Sequence, residues 1–356
     1  MGTLFLIAIL ILGFLIVFQI AKASEYVAVL KGEQKTFEQN NRINGFMMIV
    51  FLVGGLIGVY VCNEALKGKI LGEAASDHGK RIDDMLYITI WITGVVFVIT
   101  QVLLFWFAFK YQHSEKRKAY YYPHNNKLEL IWTVVPAIFL TVLVGFGLYY
   151  WFKITGDAPE NSQRIEVTGR QFAWIARYPG KDQTFGKKYY RNISDPANNQ
   201  LGLIWEDAAT HDDIVVSGNE IYMVVNVPVK LIINSRDVVH DVGLSHFRMK
   251  MDAVPGIPTT MWFTPIYTTA EMKEKTNNPD FEYELSCDQM CGEGHYSMKG
   301  VIKVVTKQEY DVWMAKLKSN YAQVQAAATT PAPPAVKPGA DTTKVTAAVL
   351  PVKTTR

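Results

Sequence analysis

The chain has 356 residues, 49% of them hydrophobic and 12% aromatic, with a formal net charge of +3. That length accommodates two domains, and the apolar content is too high and too concentrated for a wholly soluble globule. Charge is uneven as well: residues 157–320 carry 18 Lys/Arg against 22 Asp/Glu, a net charge of −4, which argues against nucleic acid as a partner.

In chain order, four apolar runs come first, at 3–20, 44–62, 86–109 and 130–152. Each is close to the ~20 residues that cross a hydrocarbon core, and Asp, Glu, Lys and Arg occur only at the margins. The runs predict four transmembrane helices in two hairpins, with membrane lipid as a partner. Residues 110–128 carry five Lys/Arg against one Glu, so the positive-inside rule places this segment in the cytoplasm. Everything after residue 152 is then delivered to the periplasmic side, and Met1 lies outside. Ala21-Lys22-Ala23 has the look of a signal-cleavage site, but removing the first run would put the large C-terminal region in the cytoplasm, so the run is kept as a span. Residues 1–85 form one hairpin and 86–156 the second.

From 157 to 320 the pattern changes. RIEVTGRQFAWIARY, EIYMVVNVPVKLIINSRDVVHDVGL, TTMWFTP and GVIKVVT cluster β-branched and aromatic residues between Gly, Pro, Asn and Asp turns, which predicts an all-β sandwich or barrel. A short helix is expected at 308–320. Residues 321–356 are rich in Ala, Thr, Pro, Val and Lys and are expected to be a disordered tail.

The chemistry is concentrated at 287–298, CDQMCGEGHYSM, which reads C-x3-C-x3-H-x2-M. Two thiols, an imidazole and a thioether suit a soft metal. Zinc is the usual occupant of Cys/His sites at short spacing, but the thioether of Met298 favours copper. A further imidazole must come from elsewhere, and spacing alone leaves His240 and His246 open. On the periplasmic side, thiolate, imidazole and thioether together make a copper electron-transfer site. Two thiolates can each bridge two metals, which points to a dinuclear centre.

Cys287, Cys291, His295 and Met298, with His240 upstream and MDAVPG at 251–256, resemble the CuA motif of cytochrome c oxidase subunit II. The resemblance spans roughly residues 86 to 315 and includes NKLELIWTVVPAI at 126–138 and GRQFAW at 169–174. It implies a cupredoxin-like sandwich anchored by a transmembrane hairpin. It also implies a dinuclear copper centre bridged by Cys287 and Cys291, with His240 and His295 as nitrogen ligands, Met298 as a weak ligand and the Gln289 carbonyl as a further one. Oxidase subunits I and III become the expected partners, and a periplasmic cytochrome c or cytochrome c domain the expected donor. Oxygen chemistry then sits at haem in subunit I, so no catalytic residue is expected in this chain. The implied location is the bacterial inner membrane, with proton translocation coupled to oxygen reduction.

Several positions depart from the family or exceed it. Many members have Glu where Gln289 stands and bind magnesium through it at the contact with subunit I, which leaves a like magnesium site in question. Phe172 stands where many members have the Trp that receives electrons. By the resemblance Phe172 and Trp174 are the expected electron-receiving patch, although without it two aromatics two apart on a strand more often serve core or interface packing. Glu129, in the E-x-x-W-T match at the cytoplasmic mouth of run four, is expected in a proton pathway, and helix-dipole stabilisation is its routine alternative. The 1–85 hairpin is additional, and 265–286 is longer than the corresponding loop. The absence of C-x-x-C-H excludes covalently attached haem c. A copper-transfer protein of the C-x3-C type would place its His far downstream on a thioredoxin-like fold, and a quinol oxidase subunit would lack the ligands.

Overall fold

A computed structural model describes residues 2–69, 71–114 and 116–329. They fall into two compact units, Met1–Ala176 with Val216–Val312, and Arg177–Val215 with Trp313–Arg356.

The first unit opens with α1 (Gly2–Lys31), α2 (Glu33–Leu66), α3 (Asp77–Lys110) and α4 (Asn126–Thr155). All four are long and apolar enough to cross a membrane. Their large side chains, among them Trp91, Leu130 and Phe152, are exposed, as expected of helices whose solvent is hydrocarbon. The additional hairpin docks on α3: Asn41 Nδ2 donates to the His113 carbonyl at 2.6 Å, and Phe51 meets Phe105 with ring centroids 5.4 Å apart. Helix α4 begins at Asn125, whose side chain accepts from Leu128 N–H, and continues through Pro136 as a single helix.

The strands are β1 (Gln163–Arg170), β2 (Ala173–Tyr178), β3 (Ile214–Val216), β4 (Glu220–Val224), β5 (Val229–Ser235), β6 (His240–Leu244), β7 (Met249–Ala253), β8 (Thr259–Phe263), β9 (Tyr283–Ser286) and β10 (Lys299–Val305). One sheet of the first unit runs β2-β1-β5-β8 and the other β4-β10-β9-β6-β7. The β1–β5 and β4–β10 pairs are parallel; β5–β8, β6–β7, β6–β9 and β9–β10 are antiparallel. Ile165, Val167, Leu231 and Ile233 from the first sheet and Ile221, Met223, Leu285 and Ile302 from the second are buried. Phe247 bridges the sheets, 4.8 Å from the Phe263 ring and 4.7 Å from that of Tyr283. This is the two-sheet sandwich expected from the strand pattern.

The helices are fastened to the sandwich at the start of α3. Ser76 caps that helix by accepting from Gly79 N–H at 2.8 Å and donates to the Phe247 carbonyl at 2.7 Å. Arg248 forms a two-pronged ion pair with Asp83, at 2.8 and 2.9 Å. Trp262 Nε1 donates to the Gly156 carbonyl just beyond α4. The long 265–286 segment carries α5 (Thr269–Lys275), started by a Thr268/Glu271 capping box, and Lys275 pairs with Glu73.

In the second unit a buried Arg177–Asp213 ion pair is reinforced by Gly186 N–H donating to Asp213. Helix α6 (Lys307–Lys316) leads to α7 (Asn320–Thr329), where Tyr321 stacks on His211 at 3.9 Å and Asn320 Nδ2 donates to the Asn198 carbonyl. This corrects the expectation of disorder from 321 onward. Composition favoured a tail, but the Asn320 and Tyr321 contacts give α7 a partner; residues 330–356 lie outside the described residues.

Ser76 serves α3 and the sandwich at once. Ser76→Ala is expected to cost about 1–2 kcal/mol, the range for losing a buried cap, measured as a lower unfolding midpoint of the detergent-solubilised protein.

Candidate metal centre

The site joins two strand ends. His240 is the first residue of β6, and a twelve-residue loop from Cys287 to Met298 connects β9 to β10. The loop is closed at its base by Cys287 N–H donating to the Met298 carbonyl at 3.3 Å, directly after the Lys299↔Ser286 pair of the ladder. Inside it, His295 N–H donates to the Gly292 carbonyl and starts the 3-10 turn His295–Ser297, which brings His295 back over Cys291.

The donor atoms form a short ladder. The two thiol sulfurs lie 3.8 Å apart, and both cysteines are free. His240 Nδ1 is 3.8 Å from Cys287 Sγ at one end, and His295 Nδ1 is 3.7 Å from Cys291 Sγ at the other. Met298 Sδ lies 3.8 Å from Cys291 Sγ, and the Gln289 carbonyl oxygen 3.3 Å from Cys287 Sγ. Among the described residues, His240, Cys287 and Cys291 form the one group of three metal-capable side chains with ligand atoms within 4.8 Å of one another. Thiols, imidazoles and a thioether without a carboxylate suit copper and disfavour a hard cation. Burial and the adjacent Cys287 thiol push Cys291 up to about 11, so a cation binding between the sulfurs must displace protons.

Asp237 orients the upstream imidazole. Its Oδ1 lies 2.7 Å from His240 Nε2, so Nε2 carries the proton and Nδ1 turns its lone pair toward the sulfurs. Its Oδ2 accepts from Gln171 N–H at 2.7 Å, and Gln171 Nε2 donates to the Cys291 carbonyl at 2.6 Å. Burial opposes the Asp237 carboxylate, but the Gln171 and Val238 N–H groups and His240 outweigh it and hold its pKa below the usual value. Two glycines permit the close approach. A Cβ on Gly169 would stand 2.8 Å from His240 Cδ2, and one on Gly294 would stand 2.5 Å from the Phe172 ring.

The structure therefore brings together His240, Cys287, Gln289, Cys291, His295 and Met298. His246 is apart from them, half-buried and packed against Phe281 and Tyr283 with ring centroids 5.0 and 5.7 Å away. Phe172 reaches the surface, 38% exposed, beside the ligand loop. Trp174 does not: it is 1% exposed, with its ring 6.0 Å from that of His240. The expectation that Phe172 and Trp174 share one surface patch is corrected: Phe172 stands in the turn between β1 and β2, whereas Trp174 is in β2, whose residues 174–178 are all buried, so Trp174 does not reach the surface. Glu129 stands in the first turn of α4, where its carboxylate accepts from Asn125 N–H at 3.3 Å. Asp237 and Gln171 were not anticipated. An acid three residues before a ligand His was a readable signal for Asp237; nothing local marks Gln171.

With the geometry in place, comparison with known proteins gives a consistent result. A family model described as the cytochrome c oxidase subunit II transmembrane domain matches residues 67–149, and one described as the periplasmic domain of the same subunit matches residues 164–305. The alternative cytochrome c oxidase subunit 2 of Bradyrhizobium diazoefficiens is 33% identical over 238 residues, covering 67% of this chain and 80% of that protein. A cytochrome c oxidase subunit 2 of Cereibacter sphaeroides is 24% identical over 241 residues, covering 64% of this chain and 75% of that protein. Among solved structures, the periplasmic domain of subunit II of cytochrome oxidase of Bradyrhizobium japonicum aligns with a TM-score of 0.31 and 24% identity, covering 45% of this chain and 96% of that one. On its two matched domains and its 33% identity to a relative, this chain belongs to the cytochrome c oxidase subunit II family and is a subunit of a haem-copper terminal oxidase.

Proposed function

We propose that this chain is the electron-accepting subunit of its oxidase, taking one electron at a time from a periplasmic cytochrome c or cytochrome c domain and passing it to haem in subunit I. The observation that carries this reading is the pair of free thiols 3.8 Å apart with one imidazole at each end. His240, Cys287, the Gln289 carbonyl, Cys291, His295 and Met298 would hold a copper pair, which would supply one-electron transfer with little rearrangement.

The remaining work belongs to the chain's own residues. Asp237 keeps Nδ1 of His240 as the free lone pair. Gln171 fixes the backbone at Cys291. The sandwich buries Cys287, Cys291 and Met298, which excludes water and stiffens the donor set. Gln289 is neutral and exposed, so its side chain lacks the charge that would favour magnesium at the subunit I contact. The four spans and the basic 110–128 segment support a multi-pass protein of the bacterial inner membrane with the sandwich in the periplasm, alongside subunits I and III. In that orientation Glu129 stands at the cytoplasmic mouth of α4, where it takes up protons for oxygen reduction and translocation.

Cys287→Ser and Cys291→Ser are expected to abolish cytochrome c oxidation by the assembled oxidase, and retained turnover in both would defeat the reading. Asp237→Ala is expected to weaken copper binding about 10–100-fold, as for other orienting partners of ligand histidines, whereas His246→Ala leaves it unchanged; competition against a copper chelator measures both. Glu129→Gln, whose amide oxygen still caps α4, is expected to slow steady-state turnover while copper content stays normal.

A further inference from the structure

Between α3 and α4, at the end of the hairpin nearest the sandwich, lies a groove of about 520 Å³. Its α3 wall descends from Arg81 to Ile92 and its α4 wall from Tyr150 to Phe139, eleven residues of helix on each side. At 1.5 Å per residue that is a depth of ~16 Å, close to half of a ~30 Å hydrocarbon core. The groove is as deep as one leaflet.

Its lining changes character along that depth. Arg81 and Asp84 stand at the top, both exposed, and are the only charged residues that line it. Neither side chain forms an ion pair or hydrogen bond among the described residues. Tyr87 and Tyr150 add the rings that are enriched at membrane–water interfaces. Thr89 spends its hydroxyl on the Met85 carbonyl of its own helix, at 2.8 Å. Ile92, Phe139, Val142, Leu143 and Phe146 then make the rest of the lining apolar. Arg81 and Asp84 are three residues apart on one helix, which sets their Cβ atoms about 5–6 Å apart, yet they do not pair with each other. A free cation and a free anion side by side above a leaflet-deep apolar slot complement a molecule with the opposite charges joined to a hydrocarbon chain.

We propose that this groove holds one zwitterionic phospholipid of the leaflet nearest the sandwich, its phosphate on Arg81, its primary ammonium on Asp84 and one acyl chain between α3 and α4. The headgroup chemistry is that of phosphatidylethanolamine. A guanidinium gives the phosphate two parallel N–H donors, and an ammonium donates to a carboxylate where a quaternary choline cannot. An anionic headgroup without an ammonium would leave Asp84 unpaired beside the phosphate. Lipid tails pack against any apolar helix with little preference, so the two headgroup contacts decide which lipid stays. The proposal needs α3 and α4 to span the membrane and does not depend on the electron-accepting reading.

The test uses the intact oxidase, washed in detergent until bulk lipid is gone, with retained phospholipid identified by mass spectrometry and counted per chain. The unsubstituted oxidase should retain phosphatidylethanolamine, and Arg81→Gln and Val142→Trp, which fills the slot below the headgroup, should each lose one equivalent per chain. Subunit composition and copper content should stay unchanged. When stripped oxidase is offered an equal mixture of phosphatidylethanolamine and phosphatidylcholine, Asp84→Asn should lower the preference for the former about ten-fold, the loss of one charge-assisted contact. Should Arg81→Gln fail to assemble, Val142→Trp and Asp84→Asn still decide. Equal lipid counts in the unsubstituted and Val142→Trp oxidases, as expected if another subunit's helix fills the groove, overturn the proposal. Retention of phosphatidylglycerol in preference to phosphatidylethanolamine overturns it too, and neither result touches the reading of the metal centre.

Discussion

The arrangement of the candidate metal centre depends on the Asp237 carboxylate. One oxygen faces His240 Nε2 and the other accepts from Gln171 N–H, while the Gln171 side chain reaches on to the Cys291 carbonyl. Three segments remote in sequence, the β1–β2 turn, the β5–β6 turn and the ligand loop, are thereby held in one arrangement. Hydrogen bonds to a charged group contribute roughly 1.5–3 kcal/mol each, which is enough to fix an imidazole that would otherwise rotate.

The rest of the sandwich sets the distance over which that network acts. The β9–β10 ladder ends at Ser286 and Lys299, so the twelve residues between them must turn back within one strand spacing. Cys287 N–H closes this loop on Met298, and the 3-10 turn at His295 folds the second imidazole onto Cys291. Gly294 leaves room for Phe172 and Gly169 for the His240 ring. On the neighbouring ladder Asp241 pairs with Asp252, and burial together with that second acid pushes Asp241 up to about 7. At the opposite end of the unit, Ser76 and the Asp83–Arg248 pair fasten α3 to the sandwich directly after the buried Phe247. The helices and the sandwich are therefore joined by buried hydrogen bonds as well as by chain connection.

Much of this was legible in the sequence. Helix length and apolar runs gave the four spans, because hydrocarbon imposes a length requirement that a local window can detect. The C-x3-C-x3-H-x2-M spacing marked four of the candidate donor residues that the structure brings together, because one loop supplies them. The partner imidazole was not fixed by spacing: His240 and His246 are six residues apart, and β6 carries one to the sulfurs and the other to an aromatic cluster. Trp174 was grouped with Phe172 on spacing alone, but Phe172 falls in the β1–β2 turn and Trp174 in β2, which is buried on both faces. The α7 helix was missed because its stability comes from Tyr321 on His211, a contact across more than a hundred residues of sequence. Gln171 was invisible for the same reason, as its partner is 120 residues away.

The central claim is that two thiols, two imidazoles, a thioether and a carbonyl hold a dinuclear copper centre. The most direct test is to load the detergent-solubilised full chain with copper under reducing conditions, then oxidise it and measure copper per chain together with the EPR spectrum. Two coppers per chain sharing one unpaired electron is the result this account predicts. One copper with a localised electron, or zinc taken up in its place with no copper signal, would contradict it.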